Sequence, residues 1–340
     1  MAKRASNRRK APAKAPTRKP SVRRAAPGTS LGGTTVPEND NITRQLRDLV
    51  PDEFEGTDRF LDIVTWNIKW FNLADERRVG VIASAMSEIN ADIFILQEIE
   101  PGAMDPVAEM MKRNGAGYYK VAQGATGGDQ RVTILYDIEF AKATTAPMEL
   151  FTDDPKVAVG STQKAIFPRR PLRASVTAYA GEDEPFDFEL VGVHLKSQRQ
   201  DRSGDDGSKQ RKASAQHLAN WMMNDAPDED VIIAGDWNAV ASKPEFSVIR
   251  NLESEGKAQF QSFNNGAEAS HFFKSGRGTR LDYFVVSASA AAASPDGRSR
   301  VISWNALLRE GKTAWRWIVD EFSDHLPVIS RFYFTAQHHS

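Results

Sequence analysis

The chain contains no cysteine, which excludes disulfides, thiolate zinc sites and a cysteine nucleophile, so any metal must be held by oxygen or nitrogen ligands. Long apolar runs are missing too. Nothing approaches the roughly 20 residues that cross a bilayer, and the basic N-terminus leads into no apolar stretch of about 7 to 15 residues of the kind a signal peptide has. These absences predict a soluble, intracellular, cytoplasmic protein without a membrane span; a monomer is expected as well. Acidic residues are absent from residues 1–37, which carry ten Lys or Arg. Since the whole chain has a formal charge of −1, the remainder carries −11, and the two parts are different materials.

What is present suffices for one large globular domain or two small ones: 340 residues, 40% of them apolar. Residues 1–37 are built from Lys, Arg, Ala, Pro, Ser, Thr and Gly, with Pro12, Pro16, Pro20, Pro27 and Pro37 breaking any helix and little to bury, so this segment is expected to be a disordered basic tail. A solubilising tail, a nucleic-acid tether and an address signal all fit that composition; a transit peptide fits less well, because the segment has no apolar face. Residues 38–57 read as a linker and 58–335 as the folded domain. Within it, Phe60 to Trp66, Ile93 to Leu96, Val132 to Tyr136, Leu172 to Ala178, Phe186 to Val193, Val231 to Ala234, Leu281 to Val286 and Leu326 to Phe334 read as strands. Val79, Ile82, Ala83, Met86 and Ile89 recur at helical spacing, which predicts an amphipathic helix over 74–90, and a second is expected over Lys209 to Met223. Ser242 followed by Pro244 and Glu245 marks the start of a third. Residues 198–210 and 287–300 read as solvated loops; Arg199, Arg202, Lys209 and Arg211 would meet a polyanion only weakly, because Asp201, Asp205 and Asp206 dilute their field.

The informative pattern is where the apolar runs stop. Val64-Thr65-Trp66 ends at Asn67, Phe94-Ile95-Leu96-Gln97 at Glu98, Leu190-Val191-Gly192-Val193 at His194, and Val231-Ile232-Ile233-Ala234-Gly235 at Asp236, with Asn238 two residues on. Oxygen and nitrogen groups at the mouths of buried strands are held more rigidly than groups on loops, as a metal or catalytic site requires. Singly, each has an ordinary explanation as a turn, a solvated strand end or a rim histidine. Leu281-Asp282-Tyr283 and Ser323-Asp324-His325 extend the series.

In this order the blocks Trp66-Asn67-Ile68 with Phe71, Gln97-Glu98, Val193-His194-Leu195-Lys196-Ser197, Gly235-Asp236-Trp237-Asn238-Ala239, Leu281-Asp282-Tyr283 with Ser287, and Ser323-Asp324-His325-Leu326-Pro327 resemble the endonuclease/exonuclease/phosphatase superfamily, which includes the DNase I and exonuclease III types. The resemblance covers roughly residues 60 to 334. It implies a four-layer α/β sandwich of the DNase I-like kind: two mainly antiparallel sheets packed face to face, helices outside, and an active site at one end of the sheets. It also implies Asn67 and Glu98 in a metal site with Asp324 near it, Asp236 and Asn238 on the attacking water and phosphate, and His325 paired with Asp282. His194 is similar to the additional histidine of the DNase I branch, whereas Leu281-Asp282-Tyr283 is closer to the repair branch.

Phosphodiester hydrolysis explains why such groups would be assembled. A hard cation on oxygen ligands, Mg²⁺ with Mn²⁺ as substitute, neutralises charge on phosphoryl and leaving oxygens. Asp236 is the candidate base, and Asp282 would orient His325 so that its other nitrogen donates to the phosphate. The alternative, His325 as base with Asp236 orienting, stays open at this level, as does an exchange of roles between His325 and His194. Arg131 and Arg170, each beside a strand, are candidate phosphate clamps, and Trp70 and Trp237 candidate base-stacking platforms; ion pairs and core lining are their ordinary alternatives. The resulting expectation is a Mg²⁺-dependent phosphodiester hydrolase, a DNA endonuclease with RNA as a further partner. A phosphatase or phosphodiesterase for phosphoinositides, sphingomyelin or nucleotides is the alternative, and an inactive nucleic-acid-binding module the third reading.

Overall fold

A computed structural model describes residues 60–179, 185–201, 204–263, 268–303, 319 and 322–334. The expected basic tail (1–37) and linker (38–57) lie outside the described residues. β1 (Phe60–Phe71) is buried along most of its length, polar Asp62, Thr65 and Asn67 included, as befits a strand with neighbours on both sides. The helix Glu76–Ile89 carries the chain to β2 (Ile93–Ile99), parallel to β1. Its start and stop are local chemistry: the Asp75 side chain accepts from the backbone N–H of Arg78, and Asn90 closes it in the left-handed conformation at φ 48°. The helix Met104–Arg113, with Pro106 in its first turn, was not expected from periodicity.

β3 (Tyr119–Gln123) and β4 (Arg131–Asp137) follow, then the short β5 (Ala141–Ala143) and β6 (Met148–Glu149), a separate hairpin of β7 (Lys156–Val159) and β8 (Thr162–Ala165), and the long β9 (Leu172–Ala178) and β10 (Phe186–His194). The helix Ser208–Asn224 leads to β11 (Val231–Asp236). The third expected helix begins later than Ser242 suggests: a 3-10 turn, Pro244–Phe246, precedes the helix Ser247–Ser254. β12 (Ala258–Phe260), β13 (Ser262–Phe263), a hairpin of β14 (His271–Phe272) and β15 (Gly278–Thr279), and β16 (Asp282–Ser287) come next. The expected loop 287–300 is corrected, since it holds the helix Ala288–Ala292 and the start of β17 (Arg298–Val301). An alanine run offers no periodic large side chains, yet alanine is the best helix former, and Ser287 caps it by accepting from Ala290 N–H. β18 (Val328–Tyr333) closes the fold.

One sheet runs β13-β17-β18-β1-β2-β4-β3 and the other β12-β16-β11-β10-β9-β5, with β6 also on β9. Most pairs are antiparallel; β1–β2, β10–β11 and β13–β17 are parallel. The sheets pack face to face, β1 and β2 against β11 and β4 against β10. Gly192 permits a close approach of the two sheets, because a Cβ there would stand 2.8 Å from both Ile95 Cγ2 and Val132 Cγ1. Alternation along the second sheet separates two cores. Leu190, Ile232, Ala234, Phe284 and Val286 face the sandwich interior, while Val191, Val193, Val231, Ile233 and Val285 face Ala215, Leu218, Trp221 and Ile249 of two outer helices. The result is a four-layer α/β sandwich.

Candidate active site

Strand register builds the first row of polar groups. In parallel β10–β11, His194 pairs with Asp236, and in antiparallel β11–β16, Asp236 pairs with Asp282. Cα partners in register send side chains to the same face, so these three stand side by side at one end of the second sheet. The conformation leading into this row needs glycine: at Gly235, with φ 153°, a Cβ would fall 2.0 Å from Val193 O.

The first sheet contributes through two adjacent irregularities. The β1–β2 register shifts between Asn67 and Phe71, and the β2–β4 register shifts between Leu96 and Ile99. Glu98 adopts φ 64° and Trp70 φ 49° there. Bulges of this kind re-aim side chains, and here they bring Asn67 and Glu98 together: Asn67 Nδ2 donates to Glu98 Oε1 at 3.2 Å and to Asp236 Oδ2 at 3.1 Å. Glu98 Oε2 accepts from Trp70 N–H at 3.1 Å.

His325 reaches the cluster from the segment before β18, held by backbone contacts on both sides. Its carbonyl accepts from Trp66 Nε1 at 2.9 Å, and its N–H donates to Ser323 Oγ at 3.0 Å, which itself donates to Asn67 O. Its Nδ1 lies 2.8 Å from Asp282 Oδ2, the same oxygen that accepts from Ser270 Oγ at 2.6 Å. Asp236 is gripped by three donors: Asn67 Nδ2, Asn238 N–H at 2.8 Å and Asn238 Nδ2 at 3.0 Å. Asp236 Oδ2 stands 3.6 Å from His194 Nε2 and 3.8 Å from His325 Nε2, and His194 Nε2 is 3.8 Å from Glu98 Oε1.

The two imidazoles are driven apart electrostatically. Burial, reinforced by the charges of Arg169 and His325, pushes His194 well below the ordinary histidine value. Burial pulls His325 the same way, but the charges of Asp282 and Asp236 and the hydrogen bond to Asp282 outweigh it, and His325 rises to about 10. Burial, with the charge of Asp282 adding to it, raises Asp236 to about 7 against the pull of His325 and the donors from Asn67 and Asn238. At neutral pH the cluster thus holds one imidazolium, one neutral imidazole and a carboxyl poised to exchange a proton.

A stability test follows from His325. Its folded value of about 10 lies above the ordinary 6.5, so between those limits the folded chain holds a proton that the unfolded chain releases. That contribution is complete below pH 6.5 and is lost as pH rises through about 10, at up to about 1.4 kcal/mol per pH unit. His194 is neutral in the folded state throughout this window and in the unfolded state over all but its acidic edge, and Asp236 is ionised in both above about 7. The urea midpoint should fall between pH 7 and 10, and less steeply in His325→Gln; identical slopes would remove the imidazolium.

The remaining expected residues fall in different places. Asp324 is directed to Lys69 Nζ at 3.3 Å. Arg170 pairs with Glu149 and Asp154, both at 3.8 Å, and Arg131 donates to the carbonyls of Gly128 and Gly124. Arg169 is the arginine that turns toward the cluster, donating to the carbonyls of His194 and Leu195 at 3.3 and 3.1 Å, its pKa lowered by burial against the opposing charges of Glu98 and Asp236. Pro168 and Arg169 lie in a bend, where no strand alternation tells which of the adjacent Arg169 and Arg170 turns inward. Trp70 is 57% exposed beside Glu98. Trp237 is corrected: it is fully buried, its Nε1 donates to Tyr283 O, and it packs edge-on against Phe246 and Phe260, leaving no face for a base. Ser270, fully buried on Asp282, was also missed; a lone serine before a short hairpin carries no sequence signal.

The donor set fits a hard cation. Glu98, Asp236 and Asp282 are largely or fully buried oxygen groups, the hard ligands that Mg²⁺ and Mn²⁺ prefer. The Asn67 amide NH₂ lies between Glu98 and Asp236, a position where a positive group is favoured, and turning that amide over would present Oδ1 instead. Oxygens of Asp236 and Asp282 and a nitrogen of His325 also lie within 4.8 Å of one another, but His325 Nδ1 is already engaged on Asp282, so Glu98 and Asn67 would be the better ligands.

The model of the Endonuclease/Exonuclease/phosphatase family matches residues 64–325. Among solved structures, an endonuclease/exonuclease/phosphatase from Bacteroides vulgatus aligns with a TM-score of 0.57 at 13% identity, covering 81% of this chain and 99% of that one. A family protein from Bacteroides thetaiotaomicron gives 0.54 at 18%, covering 83% and 97%. D. rerio TDP2 complexed with single strand DNA product gives 0.50 at 18%, covering 80% and 98%. At such identities the likeness is one of fold. No curated protein matches the sequence.

Proposed function

Because this chain belongs to the endonuclease/exonuclease/phosphatase family, we propose that it is a divalent-metal-dependent phosphodiester hydrolase acting on nucleic acid, on DNA before RNA, through a catalytic domain spanning residues 58–335. The observation that carries the reading is the position of Asp236, whose Oδ2 lies within 4 Å of both imidazoles and 3.1 Å from the Asn67 amide, at the meeting point of the two sheets.

Each group has a task. Asp236, with a value of about 7 and its carboxylate fixed by Asn238, orients the attacking water and takes its proton. His325 already carries a proton at neutral pH, so it serves as donor to the phosphate rather than as base, with Asp282 fixing its tautomer. His194 is neutral, and its Nε2 faces the two carboxylates, in place to donate to a phosphoryl oxygen or to the leaving group. Arg169 adds fixed positive charge behind it. Glu98 and Asn67 would hold Mg²⁺ or Mn²⁺, which would supply Lewis-acid stabilisation of the phosphoryl and leaving oxygens.

Nucleic acid is favoured as substrate by the basic segment 1–37, which would release counterions from a phosphate backbone, and by the exposed Trp70 beside Glu98, a platform on which a base can stack. The single-strand DNA product described for TDP2 agrees with this class. Incubating the full chain with supercoiled plasmid and with oligonucleotides in Mg²⁺, with and without EDTA, tests the reading. EDTA-sensitive cleavage is expected; turnover of a phosphoinositide, sphingomyelin or nucleotide without any cleavage of DNA or RNA would replace it.

A further inference from the structure

Beside the catalytic row is a cavity of about 450 Å³, walled among the described residues by Ala241, Ser242, Glu268, Thr279, Arg280 and Tyr283. It is contiguous with the site along the chain: one wall begins at Val240, just beyond Asn238, and the other brackets Asp282 with Arg280 and Tyr283. Its volume is that of a small-molecule pocket, and its lining is prebuilt. Tyr283 Oη accepts from Ala241 N–H and donates to Arg280 O, both at 3.2 Å. Glu268 O accepts from Arg280 Nε at 3.0 Å, and Glu268 Oε2 accepts from Val301 N–H at 3.3 Å.

Arg280 is the distinctive element. Its Cζ lies 3.8 Å from the centre of the Phe263 ring, a separation at which the guanidinium lies flat on the phenyl face, and Phe263 is itself braced edge-on by Tyr283. A planar cation fixed on one face by an aromatic ring and lining a cavity is a stacking platform for a second planar group. The rest of the lining narrows the occupant. An acyl chain would bury the Ser242 and Thr279 hydroxyls and the Glu268 carboxylate without offering them a hydrogen bond, and a phosphate would meet the Glu268 carboxylate. A nucleobase has an aromatic face for the guanidinium and edge donors and acceptors for the Ser242 and Thr279 hydroxyls and for Glu268.

We propose that this cavity is a base-binding subsite, which receives the nucleobase one or two positions from the scissile phosphate and stacks it on Arg280. The inference rests on the nucleic-acid reading given above. At about two residues from both Asn238 and Asp282, the cavity lies within about 7 Å of chain from the catalytic row, the range of a neighbouring nucleotide.

The test uses the full chain with Mg²⁺ and compares oligonucleotides with bis(p-nitrophenyl) phosphate, which has no base. Arg280→Ala should lower the ratio of oligonucleotide to small-diester kcat/KM by about 10-fold, chiefly through KM, the size expected for one stacked base. Arg280→Lys keeps the charge without the plane and should not restore the ratio. Ser242→Trp, filling the cavity from an exposed position, should reproduce the loss and carries the test if Arg280→Ala unfolds. A scan with a tetrahydrofuran abasic nucleotide should find one position at which wild type loses the same factor and Arg280→Ala loses nothing more. Full activity of Arg280→Lys, or an Arg280→Ala defect that persists at every abasic position, overturns the subsite alone. A wild-type chain that hydrolyses the small diester and no oligonucleotide overturns the subsite together with the proposed function.

Discussion

Asp236→Asn is expected to lower kcat by about 10³- to 10⁴-fold on plasmid and on a small diester, the range of a lost general base compounded by disorder of its neighbours. The substitution keeps the shape and the acceptor for Asn238 N–H, so β11 and its pairing with His194 and Asp282 should survive, as circular dichroism and the thermal midpoint would show. What disappears is the one carboxyl whose value of about 7 allows it to accept a proton from water near neutrality. Neither histidine can stand in: His325 is already protonated and His194 resists protonation. The opposite assignment, with His325 as base, predicts a milder effect at Asp236 and the large one at His325. A variant within 10-fold of wild type would end the case for Asp236 as base.

Glu98→Gln should produce the second large effect, through the metal. The amide preserves an acceptor for Trp70 N–H and the packing of the β2 bulge, but it removes the negative charge that a hard cation needs. Losing a group merely supporting a metal ligand costs about 10- to 100-fold in affinity, so losing the ligand itself should raise the Mg²⁺ concentration for half-maximal activity by about 100-fold or more. A readout apart from turnover is available. Mg²⁺ binding only the folded chain stabilises it by about 2.7 kcal/mol at a concentration 100 times the dissociation constant, so EDTA should lower the wild-type thermal midpoint and leave that of Glu98→Gln nearly unmoved. Equal Mg²⁺ responses of the two proteins would place the ion elsewhere.

Much of the fold is legible along the chain because the relevant forces are local. The principal strands announce themselves as short apolar runs, and Glu76–Ile89 by its buried stripe and its Asp75 cap. Met104–Arg113 escaped because a ten-residue helix with four buried positions gives a short stripe, and Ala288–Ala292 because alanine has helix propensity but little hydrophobic contrast. At the site, apolar runs ending in Asn67, Glu98, His194 and Asp236 were visible as candidates. Ser270 and Arg169 were not, since their importance comes from partners distant in the chain.

The order of residues alone settled that buried strands would end in oxygen and nitrogen groups, because side-chain alternation and hydrophobic run length are properties of neighbouring residues. Tertiary packing decided the rest: the row of His194, Asp236 and Asp282, the opposed charge states of two histidines, the inward turn of Arg169 where Arg170 turns away, and the burial of Trp237 where Trp70 stays exposed. Register, desolvation and Coulomb interaction depend on which strands lie side by side and how deeply, and those neighbours here are separated by tens to hundreds of residues of chain.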